Sequence, residues 1–306
     1  MLIGLIKDES AQYDGYNWHD EYAKCFKELG DVVEFFDFRK SDWQTQVHNS
    51  HVDCFLWRAW HRPDDKDDAK NKIQYIDQEL GRLIFPNWRM YWPYDNKLAQ
   101  LFIMRKFNLP HPFTFFSRDS EEITHFMNTT SYPLISKSSD GACGDNVRLI
   151  KNKEDLKRHI DAIFDDQGLK TYFPWVRQKG YVYLQEYLPL ERDLRIITLG
   201  DEVVYACWFE SEDWKKFGGN VKINFEGIPS EAKELCINTS KKINFDWAAY
   251  DVAFFKGEYY IFEFSAIFGF SFPEPLVKQF GSPNAHVLQK QAIYLHKKIN
   301  QKNGKI

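Results

Sequence analysis

Residues 1 to about 93 alternate short apolar runs with helix-like stretches, and this alternation limits the fold more than any other feature of the chain. The runs are Leu2 to Ile6, Val32 to Phe38, Val52 to Trp57 and Leu83 to Phe85, the last stopped by Pro86. Helical stretches lie near Asp20 to Leu29 and from Asp67 to Leu80, the second entered from the Pro63-Asp64-Asp65 turn. Strands separated by helical segments of about ten or more residues predict a small parallel sheet covered by helices, because a tight turn cannot join parallel neighbours. The chain has 306 residues, of which 43% are apolar and 17% aromatic, enough for about two ordinary domains with a sizeable core.

A second unit opens at Asp95, the expected N-cap of a helix carrying Leu98, Leu101, Phe102 and Phe107 until Asn108 and Pro110. Asp119 with Glu122 predicts another helix start, Tyr132 to Lys137 a strand, and Leu156 to Phe164 a helix. Beyond residue 180 long antiparallel strands are expected at Tyr181 to Tyr187, Leu194 to Leu199, Val203 to Phe209, Ala249 to Phe255 and Tyr259 to Phe264. Helices are expected at Glu231 to Ile243 and Ala285 to Ile299.

Forty Lys plus Arg against 44 Asp plus Glu give a net charge of −4, which supplies no global attraction for nucleic acid or anionic lipid. Nowhere do about eighteen apolar residues run together, so no membrane span is expected. Met1 to Ile6 followed by Lys7, Asp8 and Glu9 is too short and wrongly flanked for a signal peptide, and a cytoplasmic location is the expectation. Cys25, Cys54, Cys143, Cys207 and Cys236 are odd in number and form no Cys-x-x-Cys, which points to buried thiols rather than disulfides or zinc. His48, His51 and His61 occupy a polar loop and a strand exit without a matching ligand series. The aromatic groups around Trp88 to Tyr94 and Tyr172 to Trp175 could stack on sugar rings, though packing between domains explains them more cheaply.

Three groups of residues carry chemistry. Lys137 ends a strand and precedes a loop holding Gly141 and Gly144. A point charge followed by unobstructed backbone N–H groups suits a polyphosphate, although surface turns use glycine too. Asp251 and Glu263 lie on strands joined at Lys256-Gly257, near the ends remote from that turn. A regular hairpin is expected to let them meet across the ladder, where repulsion calls for a cation and oxygen ligands select magnesium. The alternative sets them on opposite sheet faces or beside lysines. Third, Gln185-Glu186-Tyr187-Leu188 ends a strand, Pro189 breaks it, and charges follow at Glu191, Asp193 and Arg195, an alternation that also fits a solvent face.

In order and spacing these groups resemble the ATP-grasp superfamily, and within it the D-alanine:D-alanine ligases and ribosomal-protein glutamate ligases. The resemblance implies an α/β plus α+β chain. An N-terminal small parallel-sheet, Rossmann-like domain would occupy 1–93, a central ATP-grasp subdomain with a glycine-rich flap 94–180, and a C-terminal subdomain with a metal site 181–306. It implies that Lys97 and Lys137 bind ATP phosphates under the flap of Gly141 and Gly144. Main-chain groups of Glu186 and Leu188, in the hinge Gln185-Glu186-Tyr187-Leu188, would read adenine. Asp193 or Glu191 would hold the ribose, and Arg195 would face phosphate or substrate. Asp251 and Glu263, twelve residues apart, match the two magnesium carboxylates, with manganese as an alternative ion.

Two departures stand out. The family's Glu-x-Asn-x-x-Pro-Gly reads Glu263-Phe264-Ser265-Ala266-Ile267-Phe268-Gly269 here, so Ser265 stands where an asparagine would ligate, and one metal or two remain open. A hydroxyl is a shorter and weaker neutral ligand than an amide carbonyl. Between Trp208 and Pro229, Lys222 and Asn224 take the places of a basic residue and an asparagine, with Asn220 as a competitor.

The implied activity is ATP-dependent carboxylate–amine ligation through an acylphosphate, releasing ADP and phosphate. A hydroxyl kinase and an inactive nucleotide-binding module are the alternatives. The implied substrates are small-molecule or glycan-linked carboxylates and amines, with neither nucleic acid nor membrane as partner, and dimers are common among such relatives. Arg58 follows the Val52 to Trp57 strand at the end where open parallel sheets bind ligands, and suits a substrate carboxylate or a surface ion pair.

Overall fold

The computed structural model describes residues 1–7, 17–59, 61–139, 141, 146–190, 192–211, 222–269, 283–302 and 304. The first unit contains β1 (Leu2–Ile6), α1 (Trp18–Glu28), β2 (Val32–Phe36), α2 (Trp43–Asn49), β3 (Cys54–Leu56), α3 (Pro63–Gln74) and β4 (Ile84–Phe85). Its strands pair in the order β2-β1-β3-β4, all parallel, as the strand–helix alternation predicts. α3 runs on into a π-helical turn at Tyr75–Glu79. α2 was not evident in the polar sequence, and it places His48 in a helix rather than a loop, with Nε2 3.1 Å from the Tyr75 hydroxyl.

α4 (Trp88–Tyr91) closes the first unit, and the second contains α5 (Lys97–Lys106), β5 (Thr114–Ser117), α6 (Ser120–Thr129), β6 (Leu134–Lys137), β7 (Val147–Ile150), α7 (Lys153–Phe164), β8 (Leu169–Lys170), β9 (Arg177–Gln178) and β10 (Val182–Glu186). The cap of α5 is Asn96, whose Oδ1 accepts from the Ala99 amide at 3.1 Å; Asp95, the expected cap, instead takes a positive φ of 45°. Asp119 caps α6 as read, accepting from the Glu122 amide at 2.8 Å. The antiparallel sheet runs β5-β10-β6-β7. β10 thus carries this sheet through Glu186, past the division drawn at 180.

The third unit contains β11 (Arg192–Leu199), β12 (Glu202–Glu210), β13 (Lys222–Asn224), α8 (Ser230–Ile243), β14 (Trp247–Phe255), β15 (Glu258–Ser265) and α9 (Pro283–Lys302). Its antiparallel sheet is ordered β13-β12-β11-β14-β15. One apolar cluster joins the first and third units, from Ile3, Phe26 and Phe85 to Trp247, Leu288 and Leu295. Within that contact the buried Tyr22 hydroxyl donates to Gln291 at 2.7 Å. Cys25, Cys54, Cys207 and Cys236 are buried free thiols, and Cys143 falls outside the described residues. Among the described residues no helix is long and apolar enough to cross a membrane.

In the middle unit, buried His159 on α7 lies with Nε2 2.5 Å from the Ser136 hydroxyl on β6. Burial, with Arg148 nearby, pushes its pKa down from 6.5 to about 4. The fold therefore favours the neutral ring. That stability is fully present above pH 6.5 and is lost as pH falls towards 4, by about 1.4 kcal/mol per pH unit. Thermal denaturation between pH 7 and 4.5 should show this acid limb, and His159→Gln, which cannot take the proton, should flatten it.

Candidate active site

The hairpin β14–β15 pairs Phe255 with Glu258 and steps regularly to Val252 opposite Ile261. Continued regularly, it would set Phe262 against Asp251 and turn Glu263 to the other sheet face. Instead Phe262 is an extra residue, Asp251 pairs with Glu263, and Ala249 pairs with Ser265. The β-bulge therefore brings the two carboxylates onto one face. The expectation that a regular hairpin would do so is corrected: their meeting depends on the irregularity.

On the other flank of Asp251, β11 sets Arg195 directly opposite. Arg195 donates from Nε to Oδ1 of Asp251 at 2.8 Å and from Nη2 to Oδ2 at 2.9 Å, a bidentate pair. Its Nη1 donates to the Gly269 carbonyl at 3.2 Å. Burial works against the guanidinium charge, but Asp251, by charge and hydrogen bonds, outweighs it and holds the pKa above its ordinary value, with Glu263 adding. Asp193, two positions earlier on β11, shares this face by strand alternation.

The second unit contributes two buried lysines. Lys97 opens α5 and is 7% exposed; Lys137 ends β6 and is 9% exposed. Lys97 Nζ donates to the Gly141 carbonyl at 2.9 Å and lies 3.6 Å from Glu263 Oε1, while its amide donates to the Ser139 carbonyl at 3.0 Å. Burial pushes the Lys137 pKa down from 10.5 to about 8; Glu263 opposes this most, ahead of Asp193 and Asp251, and Lys97 adds to it. Lys97, Lys137 and Arg195 are thus gathered with Asp193, Asp251 and Glu263, charge for charge.

Gly141 has a φ of +126°, and a Cβ there would come within 2.4 Å of Asn146 Nδ2, so no other residue fits this point of the flap unchanged. Gly144 and Glu191 lie outside the described residues. In the hinge segment, the Gln185 side chain is spent inside the sheet, donating to Thr114 Oγ1 at 3.0 Å. Glu186 donates its amide to the Phe113 carbonyl at 2.9 Å and accepts the Phe113 amide on Oε1 at 2.6 Å. Tyr187 is half-buried and Leu188 buried.

Ser265 shares the face of Asp251 and Glu263, but its hydroxyl donates to the Ile267 carbonyl at 2.6 Å and accepts the Ile267 amide at 3.2 Å, shaping the turn that follows. Arg58 leaves β3 with its guanidinium carbon 3.3 Å from the centroid of the Trp18 ring and donates to the Phe268 carbonyl. Arg58 and Arg195 therefore hold the carbonyls of adjacent residues, which sequence reading missed. Phe173 is buried against His61 with centroids 6.0 Å apart and packs between units as read, whereas Tyr172 and Trp175 are more than half exposed, Trp175 with Arg62 5.6 Å from its ring centroid.

Lys222 and Asn224 are not brought to the site. β13 pairs Asn224 with Trp208 and Lys222 with Glu210, and these lie opposite Leu194 and Arg192 on β11. Those rows alternate with that of Arg195, so both residues belong to the opposite sheet face. There Asn224 Nδ2 donates to Glu210 Oε1 at 3.2 Å, and the 78%-exposed Lys222 lies 3.9 Å from Glu210 Oε2. Among the described residues no group of three or more His, Cys, Asp or Glu could hold a metal ion. The pair Asp251 and Glu263 still fits a hard cation that takes its other oxygens from phosphate and water.

Residues 94–274 match the RimK-like ATP-grasp domain, and the chain belongs to that family. It is 24% identical over 149 residues to alpha-aminoadipate–LysW ligase LysX of Saccharolobus solfataricus, covering 47% of this chain and 50% of that protein. It is 25% identical over 201 residues to coenzyme gamma-F420-2:alpha-L-glutamate ligase of Methanocaldococcus jannaschii, covering 63% of this chain and 65% of that protein. The matches thus span about half to two thirds of these relatives. The fold is that of D-alanine–D-alanine ligase from Bacillus anthracis complexed with ATP, at a TM-score of 0.67 and 13% identity over 99% of both chains. It is shared with the ATP-grasp ligase PsnB complexed with minimal precursor, Mg and ADP, at a TM-score of 0.61 and 16% identity, over 95% of this chain and 96% of that one.

Removing Arg195 would leave Asp251 beside Glu263 without its bidentate partner. Urea denaturation of Arg195→Met should show a loss of about 3 kcal/mol, whereas Lys222→Met on the exposed edge should change stability by less than about 1 kcal/mol.

Proposed function

We propose that the protein is an ATP- and magnesium-dependent ligase that joins a carboxylate to an amine. The observation that carries this reading is the bulged pairing of Asp251 with Glu263, flanked by Arg195 and faced by Lys97 and Lys137 from another unit. Family membership and the kinship with an alpha-aminoadipate–LysW ligase and a coenzyme gamma-F420-2:alpha-L-glutamate ligase support it.

Lys97 and Lys137 would take the phosphate oxygens, since a buried ammonium regains from phosphate the solvation it has lost. Asp251 and Glu263 would hold magnesium, which when bound offsets charge on the phosphates. Asp251 fixes two donors of Arg195, leaving that guanidinium preorganised against charge that develops on the transferring phosphoryl group. Asp193 would hold the ribose, and the Gln185–Leu188 segment the adenine. Because the Glu186 amide is already committed to Phe113, base recognition there would fall to its carbonyl and to Leu188. Arg58, at the C-terminal end of β3, would bind the acceptor carboxylate. An oxygen of that carboxylate attacks the γ-phosphorus and ADP departs; the amine then adds to the acylphosphate, phosphate leaves, and the amine's surplus proton passes to phosphate or solvent. Ser265 is a turn-forming residue in this scheme, and one cation between Asp251 and Glu263 suffices.

Incubation with magnesium, ATP and pooled carboxylates and amines should release ADP and phosphate only when both co-substrates are present; release with neither dependence would overturn the reading. Glu263→Gln should lower turnover at least about 10²-fold with the fold intact. As pH rises through 8, Lys137 loses its proton, so triphosphate affinity should fall. Below that pH the effect is absent. Calorimetry at pH 8.5 in buffers of different ionisation enthalpy should show proton uptake on nucleotide binding.

A further inference from the structure

Residues 167–185 contain three cations, Lys170, Arg177 and Lys179, and no aspartate or glutamate, in a chain whose net charge is −4. The β8–β9 hairpin within this stretch pairs Lys170 with Arg177 directly across its ladder, and both residues are exposed. Like charges so placed destabilise a sheet. Arg148 on β7, also exposed, donates to the Lys170 carbonyl at 3.4 Å and adds a further cation to the patch. Among the described residues no carboxylate forms an ion pair with Arg148, Lys170 or Arg177.

The loop between the two strands turns two rings outward. Tyr172 and Trp175 are 57% and 55% exposed, and the buried Phe173 ring between them has its centroid 5.0 Å from that of Tyr172 and 5.5 Å from that of Trp175. The loop holds this shape by itself. The Val176 amide donates to the Phe173 carbonyl at 2.9 Å, the Thr171 hydroxyl reaches the carbonyls of Phe173 and Val176 at 3.2 and 3.0 Å, and Arg177 Nη1 donates to the Val176 carbonyl at 3.0 Å. Rings presented on a fixed loop lose little freedom when a ligand covers them. The loop also borders the candidate site: the Tyr172 amide donates to Asn146 Oδ1 at 2.8 Å, beside Gly141, and Phe173 rests on His61 in the segment that follows Arg58.

We infer that the β8–β9 hairpin is a binding platform for a glycan bearing uronic-acid carboxylates, with Arg148, Lys170 and Arg177 taking the carboxylates and Tyr172 and Trp175 stacking on the sugar rings. The C–H face of a sugar matches the electron-rich face of an aromatic ring, and a carboxylate between Lys170 and Arg177 relieves the repulsion that the hairpin carries alone. Acidic side chains of a peptide would use the cations but have no need of two open rings. A nucleic-acid strand gains its affinity from more phosphate contacts than this patch supplies. Such a glycan would bring a carboxylate to the crevice beside Arg58; that step alone rests on the proposed ligase function, and binding to the hairpin does not.

The test is calorimetry without nucleotide, comparing galacturonate oligomers with neutral glucose oligomers, polyglutamate and single-stranded RNA. Galacturonate oligomers should bind best, about tenfold more weakly to Trp175→Leu and to Tyr172→Leu, and within about threefold of wild type to Trp175→Phe. Lys170→Glu exchanges the like-charged pair for an opposite one, so it should weaken binding about tenfold or more while the melting temperature stays equal to or above that of wild type. Polyglutamate or RNA bound as tightly as galacturonate, binding that survives the loss of both rings, or a wild type that does not bind galacturonate oligomers would each overturn the inference. Turnover separates it from the ligase reading. Oligomer binding without ADP release from any carboxylate and amine would overturn the ligase and leave the platform standing, whereas ADP release from other carboxylates without oligomer binding would overturn the platform alone.

Discussion

The bidentate contact between Arg195 and Asp251 is the interaction around which the candidate site is arranged. It joins two adjacent strands of the third sheet, and it neutralises one carboxylate of a pair that would otherwise repel across the ladder. Charges held partly out of water are favoured when they are paired and hydrogen-bonded. The pairing also aims the remaining edge of Arg195 at Gly269, so the segment after β15 is positioned by the residue that flanks the carboxylates.

That segment ties the units together. Ile267 packs in the core of the first unit with Phe38, Trp57 and Tyr94, and Phe268 receives Arg58 from the end of β3. On the opposite edge of the hairpin, the Ile261 amide donates to the Pro110 carbonyl of the second unit. Lys97 then connects the flap at Gly141 with Glu263. The second unit thus contributes Lys97 and Lys137 and the third Arg195 to one cluster, while Arg58 of the first holds the Phe268 carbonyl next to the Gly269 carbonyl held by Arg195.

Much of this was legible in the sequence because local patterns decide it. Apolar runs separated by long helical stretches leave few alternatives to the parallel sheet, and the lysines, arginine and carboxylates are spaced along the chain in the family's order. What could not be read depends on register. The face on which Glu263 lies is decided by a single extra residue, Phe262, in a hairpin whose turn at Lys256-Gly257 would otherwise dictate the opposite parity. Counting back from Phe255 opposite Glu258 was the available signal. Lys222 and Asn224 failed for the same reason, since a shift of one position along β13 exchanges the two faces of the sheet. The cap of α5 fell to Asn96 because its neighbour Asp95 occupies the left-handed region, a backbone choice that the sequence Asp95-Asn96 leaves open.

The central claim is that one magnesium-bound triphosphate lies between the Asp251–Glu263 pair and the two buried lysines. A crystal structure with magnesium and a non-hydrolysable ATP analogue addresses it most directly. The expected result is a cation within about 2.1 Å of an oxygen from each carboxylate, with Lys97 and Lys137 on the phosphates. A triphosphate bound elsewhere, or a cation that leaves Glu263 untouched, would contradict it.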